Sequence, residues 1–446
     1  MLKHKPSWTA RVSRRVLFGV LENLRGGQLE LICPDKTYKF GDASEELCAS
    51  VEVYDERLFS RVLLGGGDVG FGESYVDGDW SSPDLVSAIR LLVRNLSLFD
   101  EHNRFYSILN RGIDRLRHSL RSNTLVGSRR NIGHHYDLGN EFYRLFLDRS
   151  MAYSSAFYET SSDTLEHAQI QKFDRICRKL QLGPGDHLLE IGTGWGGFAI
   201  HAASRYGCRV TTTTISREQH AYASDWLKRT GLDGRVRLLL DDYRALHGRY
   251  DKIVSIEMFE AVGFEHYDQY FGACNRLLAP HGTMLLQTIT MPDRRFDAYR
   301  CRCDWIQKCI FPGAELASVS GILQSLARST QLQLFHAEDI GMHYARTLRD
   351  WRERFVSSLP EVRQLGFDER FIRMWDYYLA SCEAAFQERG IGDVQLLLTK
   401  AANHKPLWGE PRTVGSDALP RWASQAPHKV SISQQHGSVC SNPITS

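Results

Sequence analysis

Seven short apolar runs, rich in β-branched residues and separated by longer amphipathic stretches, recur between residues 163 and 400. That rhythm points to one architecture: strands side by side in a parallel sheet, with helices covering both faces. The runs are His187 to Ile191, Arg209 to Ile215, Val236 to Leu240, Lys252 to Ile256, Thr283 to Ile289, Leu332 to Ala337 and Val394 to Thr399. They predict a doubly wound α/β sheet. A helix carrying Leu165, Phe173, Ile176 and Leu180 meets the breakers Gly183-Pro184-Gly185 just before the first strand. From about 296 to 390 there is more helix than such a sheet needs, crowded with Phe296, Tyr299, Trp305, Phe311, Trp351, Phe355, Trp375, Tyr377, Tyr378 and Phe386. We expect a helical lid there, its aromatics divided between plain core and the wall of an apolar tunnel.

At 446 residues the chain is too long for one hydrophobic core. Residues 1–120 read as a smaller α/β domain, 121–403 as the main one and 404–446, rich in Ser, Pro, Gly, Gln and His, as a disordered tail. In the opening segment Val12, Val16, Leu17, Val20, Leu21 and Leu24 fall near helical spacing, with Arg11, Arg14 and Arg15 on the remaining surface. Either a membrane-surface helix or one packed on a sheet has that pattern. The stretch Gly70 to Trp80 mixes turn formers with aromatics and reads as structural. Between 101 and 130, Arg104, Arg111, Arg115, Arg117, Arg121, Arg129 and Arg130 face only Glu101 and Asp114, a charge balance suited to anionic headgroups or to a solvated linker.

A net charge of +2 excludes the strongly basic balance of a dedicated nucleic-acid binder. No run reaches the roughly 18 to 20 apolar residues of a membrane span, and no secretory signal opens the chain. The ten cysteines are scattered; Cys301, Cys303 and Cys309 cluster without the further ligands of a zinc site. Reduced thiols in the cytoplasm and no bound metal are expected.

Glu190-Ile191-Gly192-Thr193-Gly194-Trp195-Gly196-Gly197 follows the first strand and precedes a helix. Glycines there let backbone turn sharply and approach a nucleoside at the carboxyl edge of the sheet. The spacing is not the Gly-x-Gly-x-x-Gly of dinucleotide sites, and Thr211 to Ser216 stand where a nicotinamide enzyme places its ribose-binding acid. S-adenosylmethionine fits this turn better than NAD. Asp241-Asp242-Tyr243 ends the third strand, where an acid can accept from an adenine amino group or cap a turn.

The chain resembles the cyclopropane-fatty-acyl-phospholipid synthase and mycolic acid cyclopropane synthase family. The likeness rests on His134 to Tyr143, Met151 to Glu159, Leu189 to Gly196, Ile215 to Gln219, Ser255 to Gly263, Leu286 to Ile289 and Tyr377 to Glu383, in order. It implies a Rossmann-like methyltransferase fold with S-adenosylmethionine as methyl donor. The donor would lie among Tyr153, Ser154, Leu188, Leu189, Glu190, Ile191, Gly192, Thr193, Gly194, Trp195, Gly196, Thr214, Ile215, Ser216, Arg217, Glu218, Gln219, Asp242, Tyr243 and Arg244. It also implies a bicarbonate ion held by Ser155, Glu260, Gln287, Ile289 and Tyr344, and a catalytic role for Cys382. Ser155 stands for a cysteine and Gln287 for a histidine of phospholipid-specific members; hydroxyl and amide both still donate to an oxyanion.

The expected reaction is methyl transfer to a cis double bond of a phospholipid acyl chain, followed by proton loss to bicarbonate and closure of a cyclopropane ring. Loss of a proton from another carbon, or a prior hydride shift, gives a methyl-branched or methylene chain instead. By the residues alone, Tyr344 and Cys382 are equally readable as core side chains. Methylation of another apolar molecule, or a lipid-surface binding protein that keeps a cofactor fold, are the competing readings. The expected partner is the cytoplasmic face of a phospholipid membrane, touched peripherally; a homodimer is compatible.

Overall fold

The computed structural model describes residues 7–98 and 138–407. The arginine-rich segment, His134 and His135, and nearly all of the expected tail lie outside the described residues.

The N-terminal residues form a four-stranded sheet of β1 (Gln28–Ile32), β2 (Thr37–Gly41), β3 (Cys48–Val53) and β4 (Trp80–Ser81), in the order β2-β1-β3-β4. β3 alternates partly exposed with buried positions, as a sheet covered on one face requires. The helix Trp8–Leu21 packs Leu17, Val20 and Leu21 inward. Arg14 is tied down by Asp35 and Glu56, each at 2.7 Å. The helix therefore serves the domain core, while Trp8, Val12 and Val16, one turn apart, stay on its outer face beside Arg11 and Arg15. Of the six apolar positions expected to share one face, Val12 and Val16 do not.

The main sheet contains β5 (His187–Ile191), β6 (Arg209–Thr213), β7 (Val236–Leu239), β8 (Tyr250–Ile256), β9 (Leu278–Thr290), β10 (Leu332–Asp339) and β11 (Gly392–Lys400). Their order is β10-β11-β9-β8-β5-β6-β7. All seven expected strands are present. The sheet is mixed rather than wholly parallel, because β11 runs antiparallel to both β9 and β10. The central strands are buried on both faces, which is why they read as continuous apolar runs. Strand order reverses between β5 and β8, so their carboxyl ends open a crevice where ligands of such sheets bind.

Lid helices Asp293–Arg300, Trp305–Cys309, Gly341–Ser357 and Glu369–Gln387 close over that crevice. The N-terminal domain braces them from behind. Tyr75 donates to Asp376 at 2.8 Å, Arg373 donates to the carbonyls of Tyr75 and Trp80, and Arg90 and Arg94 clamp Glu388 at 2.6 Å. Gly72, inside the helix Asp68–Val76, lets this domain lie directly on Trp305 and Tyr377. The glycine-rich stretch after residue 70 is thus a helix in contact with the lid.

Candidate active site

One cavity of about 450 Å³ opens at the carboxyl ends of β5 and β8. Its volume is in the range of small-molecule sites. At one end stands the glycine turn. Gly192, Gly194 and Gly196 have φ of 103°, 53° and 99°, conformations that a side chain disfavours. Gly192 in addition faces the Met258 side chain, which a Cβ would meet at 3.0 Å. Glu190 caps this end, its carboxyl accepting from Thr212 at 2.5 Å. Burial pushes its pKa up to about 8.

Lys172, in the helix Leu165–Lys179, reaches the same space fully buried and donates to Ser154 Oγ at 2.6 Å. Burial lowers its pKa to about 8, against the pull of Glu257 and other carboxyls around it. Tyr153 OH and Tyr378 OH are 2.9 Å apart. The far end is apolar, with Met291, Ile306, Phe311, Leu348 and Phe386 in the wall. Of the lid aromatics, Tyr299, Phe311, Tyr378 and Phe386 line the cavity, whereas Trp351, Phe355 and Trp375 are core.

Between the two ends lie three carboxyl groups. Glu257 directly follows β8 with φ 46°, strained for a residue with a side chain. Its Oε1 accepts from Ser155 N–H at 2.7 Å and from Gln287 Nε2 at 2.8 Å, and its Oε2 accepts from Tyr344 OH at 2.7 Å. Glu260 Oε1 accepts from Ile289 N–H at 2.6 Å and Thr288 Oγ1 at 2.9 Å, while its buried Oε2 has no hydrogen-bond partner among the described residues. Burial, then the Glu257 charge, push Glu260 up to about 7. Asp393, wholly buried, is held well above the usual carboxyl range by burial and by Glu257 and Glu260. It shares the Gln287 amide at 3.0 Å.

Of the residues expected to contact the donor, Tyr153, Ser154, Glu190, Ile191, Gly192, Thr193, Gly194, Trp195, Thr214, Ile215, Gln219, Asp242, Tyr243 and Arg244 line this cavity. Leu188 and Leu189 are buried inside β5 and hold the turn from below. Gly196 abuts Ala223 on the neighbouring helix. Ser216 caps the helix Arg217–Thr230, which turns Arg217 and Glu218 to solvent. Asp242 is engaged by Arg244 at 2.7 Å and caps the turn after β7, leaving Asp241 as the exposed acid of that edge.

Among the expected reaction residues, Glu260, Ile289, Tyr344 and Cys382 line the cavity; Ser155 and Gln287 stand behind Glu257. The Ser155 hydroxyl is committed to the Ala156 carbonyl at 2.9 Å, so only its backbone N–H faces an anion. Burial pushes the Cys382 thiol up to about 12, so it sits in the wall as a neutral group. Sequence reasoning passed over Lys172, Glu257 and Asp393 as site residues.

The family described as mycolic acid cyclopropane synthetase matches residues 124–396. The chain is 37% identical over 386 residues to the tuberculostearic acid methyltransferase UfaA1 of Mycobacterium tuberculosis, covering 85% of this chain and 88% of that protein. It is 38% identical over 360 residues to the cyclopropane-fatty-acyl-phospholipid synthase of Escherichia coli, covering 80% and 89%. The crystal structure of the mycolic acid cyclopropane synthase CmaA1 complexed with SAH and CTAB superposes with a TM-score of 0.57 at 31% identity, covering 61% of this chain and 98% of that one.

Proposed function

The chain belongs to the mycolic acid cyclopropane synthetase family, and from that premise we propose that it methylates the cis double bond of unsaturated phospholipid acyl chains and closes a cyclopropane ring. One observation carries the reading: a single cavity joins the glycine turn to an apolar lid wall, with buried carboxyls between them. S-adenosylmethionine suits the polar end. The open backbone of Gly192 and Gly194, the acid Asp241 and the threonine-rich edge of β6 offer donors and acceptors for an amino acid and a nucleoside. When bound, it supplies an electrophilic methyl group and leaves a cation on the acyl chain.

The protein's own part is to exclude water, orient the chain and receive a proton. Met291, Ile306, Phe311 and Phe386 enclose an alkyl tail. Tyr153 and Tyr378 line the cavity, where aromatic rings can stabilise positive charge. Access to the acyl chain requires the bilayer surface, and the outer row of Trp8, Val12 and Val16 with Arg11 and Arg15 is the face suited to it. No helix among the described residues is long and apolar enough to cross a membrane; the proposed contact is that outer helix face against the cytoplasmic leaflet.

A methylene-bearing branched chain is the second reading, supported by the likeness to a methyltransferase named for tuberculostearic acid. Incubation with labelled S-adenosylmethionine and unsaturated phospholipid vesicles, then mass spectrometry and NMR of the fatty acid esters, separates the two. Ring protons upfield identify the cyclopropane and vinylidene protons the methylene. Label in no lipid refutes both.

A further inference from the structure

Family resemblance gives the anion beside the reacting alkene to bicarbonate, cradled by Ser155, Glu260, Gln287, Ile289 and Tyr344. The cradle does not fit that ion in this chain. Ser155 N–H, Gln287 Nε2 and Tyr344 OH all donate to one carboxylate, Glu257. The remaining donor, Ile289 N–H, is taken by Glu260. No N–H or hydroxyl donor of the set is left for a second anion, and one inserted there would meet the Glu257 carboxylate that already holds three of them. We propose that Glu257 is the resident counter-ion and proton acceptor of the reaction, occupying the place of bicarbonate.

The local structure is built to hold it there. Glu257 is the first residue beyond β8, at the crevice where the sheet order reverses. Its backbone N–H donates to the Gln287 carbonyl at 2.8 Å, so Gln287 fixes both main chain and carboxylate. Gln395 Nε2 donates to Gln287 Oε1 at 3.0 Å, which leaves the Gln287 amide nitrogen pointing at Glu257 and Asp393. The backbone holds φ 46°, a conformation that a residue with a side chain rarely adopts. Burial raises the Glu257 pKa, which suits a group that must accept a proton, and the buried Lys172 charge pulls the other way. Three donors and a cation stabilise an anion, while the spare lone pair of Oε2 remains open to a proton.

The step balances within the site and rests on the methyl-transfer reading above. The alkene π pair forms the new carbon–carbon bond as the donor's methyl–sulfur bond breaks, that pair staying on sulfur as a neutral thioether, and the chain carries the cation. The C–H pair of the added methyl group closes the second ring bond, and its proton passes to Glu257 and then to water. If a hydride first shifts from the methyl-bearing carbon to the cationic one, loss of the methyl proton instead leaves its C–H pair as the double bond of a methylene group.

Wild-type turnover in carbon dioxide-stripped buffer should change less than twofold on adding bicarbonate. Glu257→Gln, isosteric and neutral, should lose at least ~100-fold of turnover, as removal of a general base does, with no recovery in bicarbonate. Its binding of S-adenosylhomocysteine by calorimetry should stay within threefold, which marks an intact fold. Glu257→Ala opens the cradle and should broaden the resonance of 13C-labelled bicarbonate, which the wild type leaves sharp. Wild-type stimulation of several-fold by bicarbonate, wild-type broadening of the labelled ion, or Glu257→Gln retaining more than a tenth of its turnover would overturn the assignment. A wild type that labels no acyl chain under any condition defeats the methyl-transfer reading instead.

Discussion

Gly72→Ala tests whether the N-terminal domain sets the shape of the acyl cavity. Gly72 is helical, and a Cβ there would lie 2.6 Å from Trp305 Cδ1 and Nε1 and 2.8 Å from Tyr377 Cε1. Ordinary contact begins near 3.4 Å, so the Trp305 ring must retreat by about 1 Å. It has nowhere to turn: the indole is 3% exposed and packs edge-on against Tyr377 at 4.7 Å. The displacement therefore passes to the helix Trp305–Cys309, whose Ile306 and Gln307 line the cavity. Alanine gains about 1 kcal/mol in a helix interior, and overpacking costs about 1–3 kcal/mol. The net loss should reach up to about 2 kcal/mol. Gly19→Ala isolates the propensity gain, because Gly19 is also helical, in the last turn of Trp8–Leu21, with nothing within 4 Å of its Cβ position. Scanning calorimetry should show Gly19→Ala stabilised and Gly72→Ala destabilised, and the latter alone should raise KM for phospholipid. Equal stabilisation of both, with KM unchanged, would refute the idea that the two units form one rigid wall.

Lys172→Met strands the buried carboxyl cluster without its cation and should cost roughly 3–5 kcal/mol in urea unfolding. Adding Glu257→Gln should recover more than half of that, whereas additive losses would show that the two charges do not pair. Glu260 keeps its proton up to about pH 7 in the folded protein, against 4.5 as the ordinary value. Its contribution to stability is therefore full below pH 4.5 and falls by about 3 kcal/mol as pH rises to 7. Glu260→Gln should lack that slope and gain on the wild type between pH 5 and 7.5; parallel stability curves would contradict the burial argument. With its thiol at about 12, Cys382 is roughly one part in ten thousand thiolate at pH 8. Peptide mapping after iodoacetamide should find it more than ~1000-fold slower than a free cysteine, and comparable labelling would reopen a nucleophilic role.

Hydrophobic pattern revealed the strands because central parallel strands bury both faces and leave apolar runs, as in Leu188 to Ile191. It carries no direction, so the reversal of β11 was not legible. It also misplaced the start of β9. Leu278-Ala279-Pro280-His281-Gly282 reads as a turn, yet these residues belong to the strand, with the register of β8 against β9 shifting between Tyr250 and Lys252.

The glycine turn and Glu260 were legible as cavity-lining positions for a local reason: each lies just beyond the end of a strand. Lys172 was within reach of the same logic, since Ala168, Gln169 and Ile176, about one turn away, are buried and a lysine on that face needs a partner inside. Glu257 was not. It lies three residues from Glu260 in the same stretch, and nothing in the linear pattern says which of the two the donors reach. The choice is made by Ser155, Gln287 and Tyr344, which lie 102, 30 and 87 residues away in sequence, and by a backbone turned to φ 46°. Ser155 and Gln287 are also the two positions that depart from the phospholipid-specific pattern. The Ser155 hydroxyl has turned to its neighbour's carbonyl, while the Gln287 amide links Glu257 to Asp393. The glutamine is the departure that a cradle closed around a protein carboxylate uses, whereas position 155 contributes a backbone N–H that any residue there supplies. A free anion would need those donors left open.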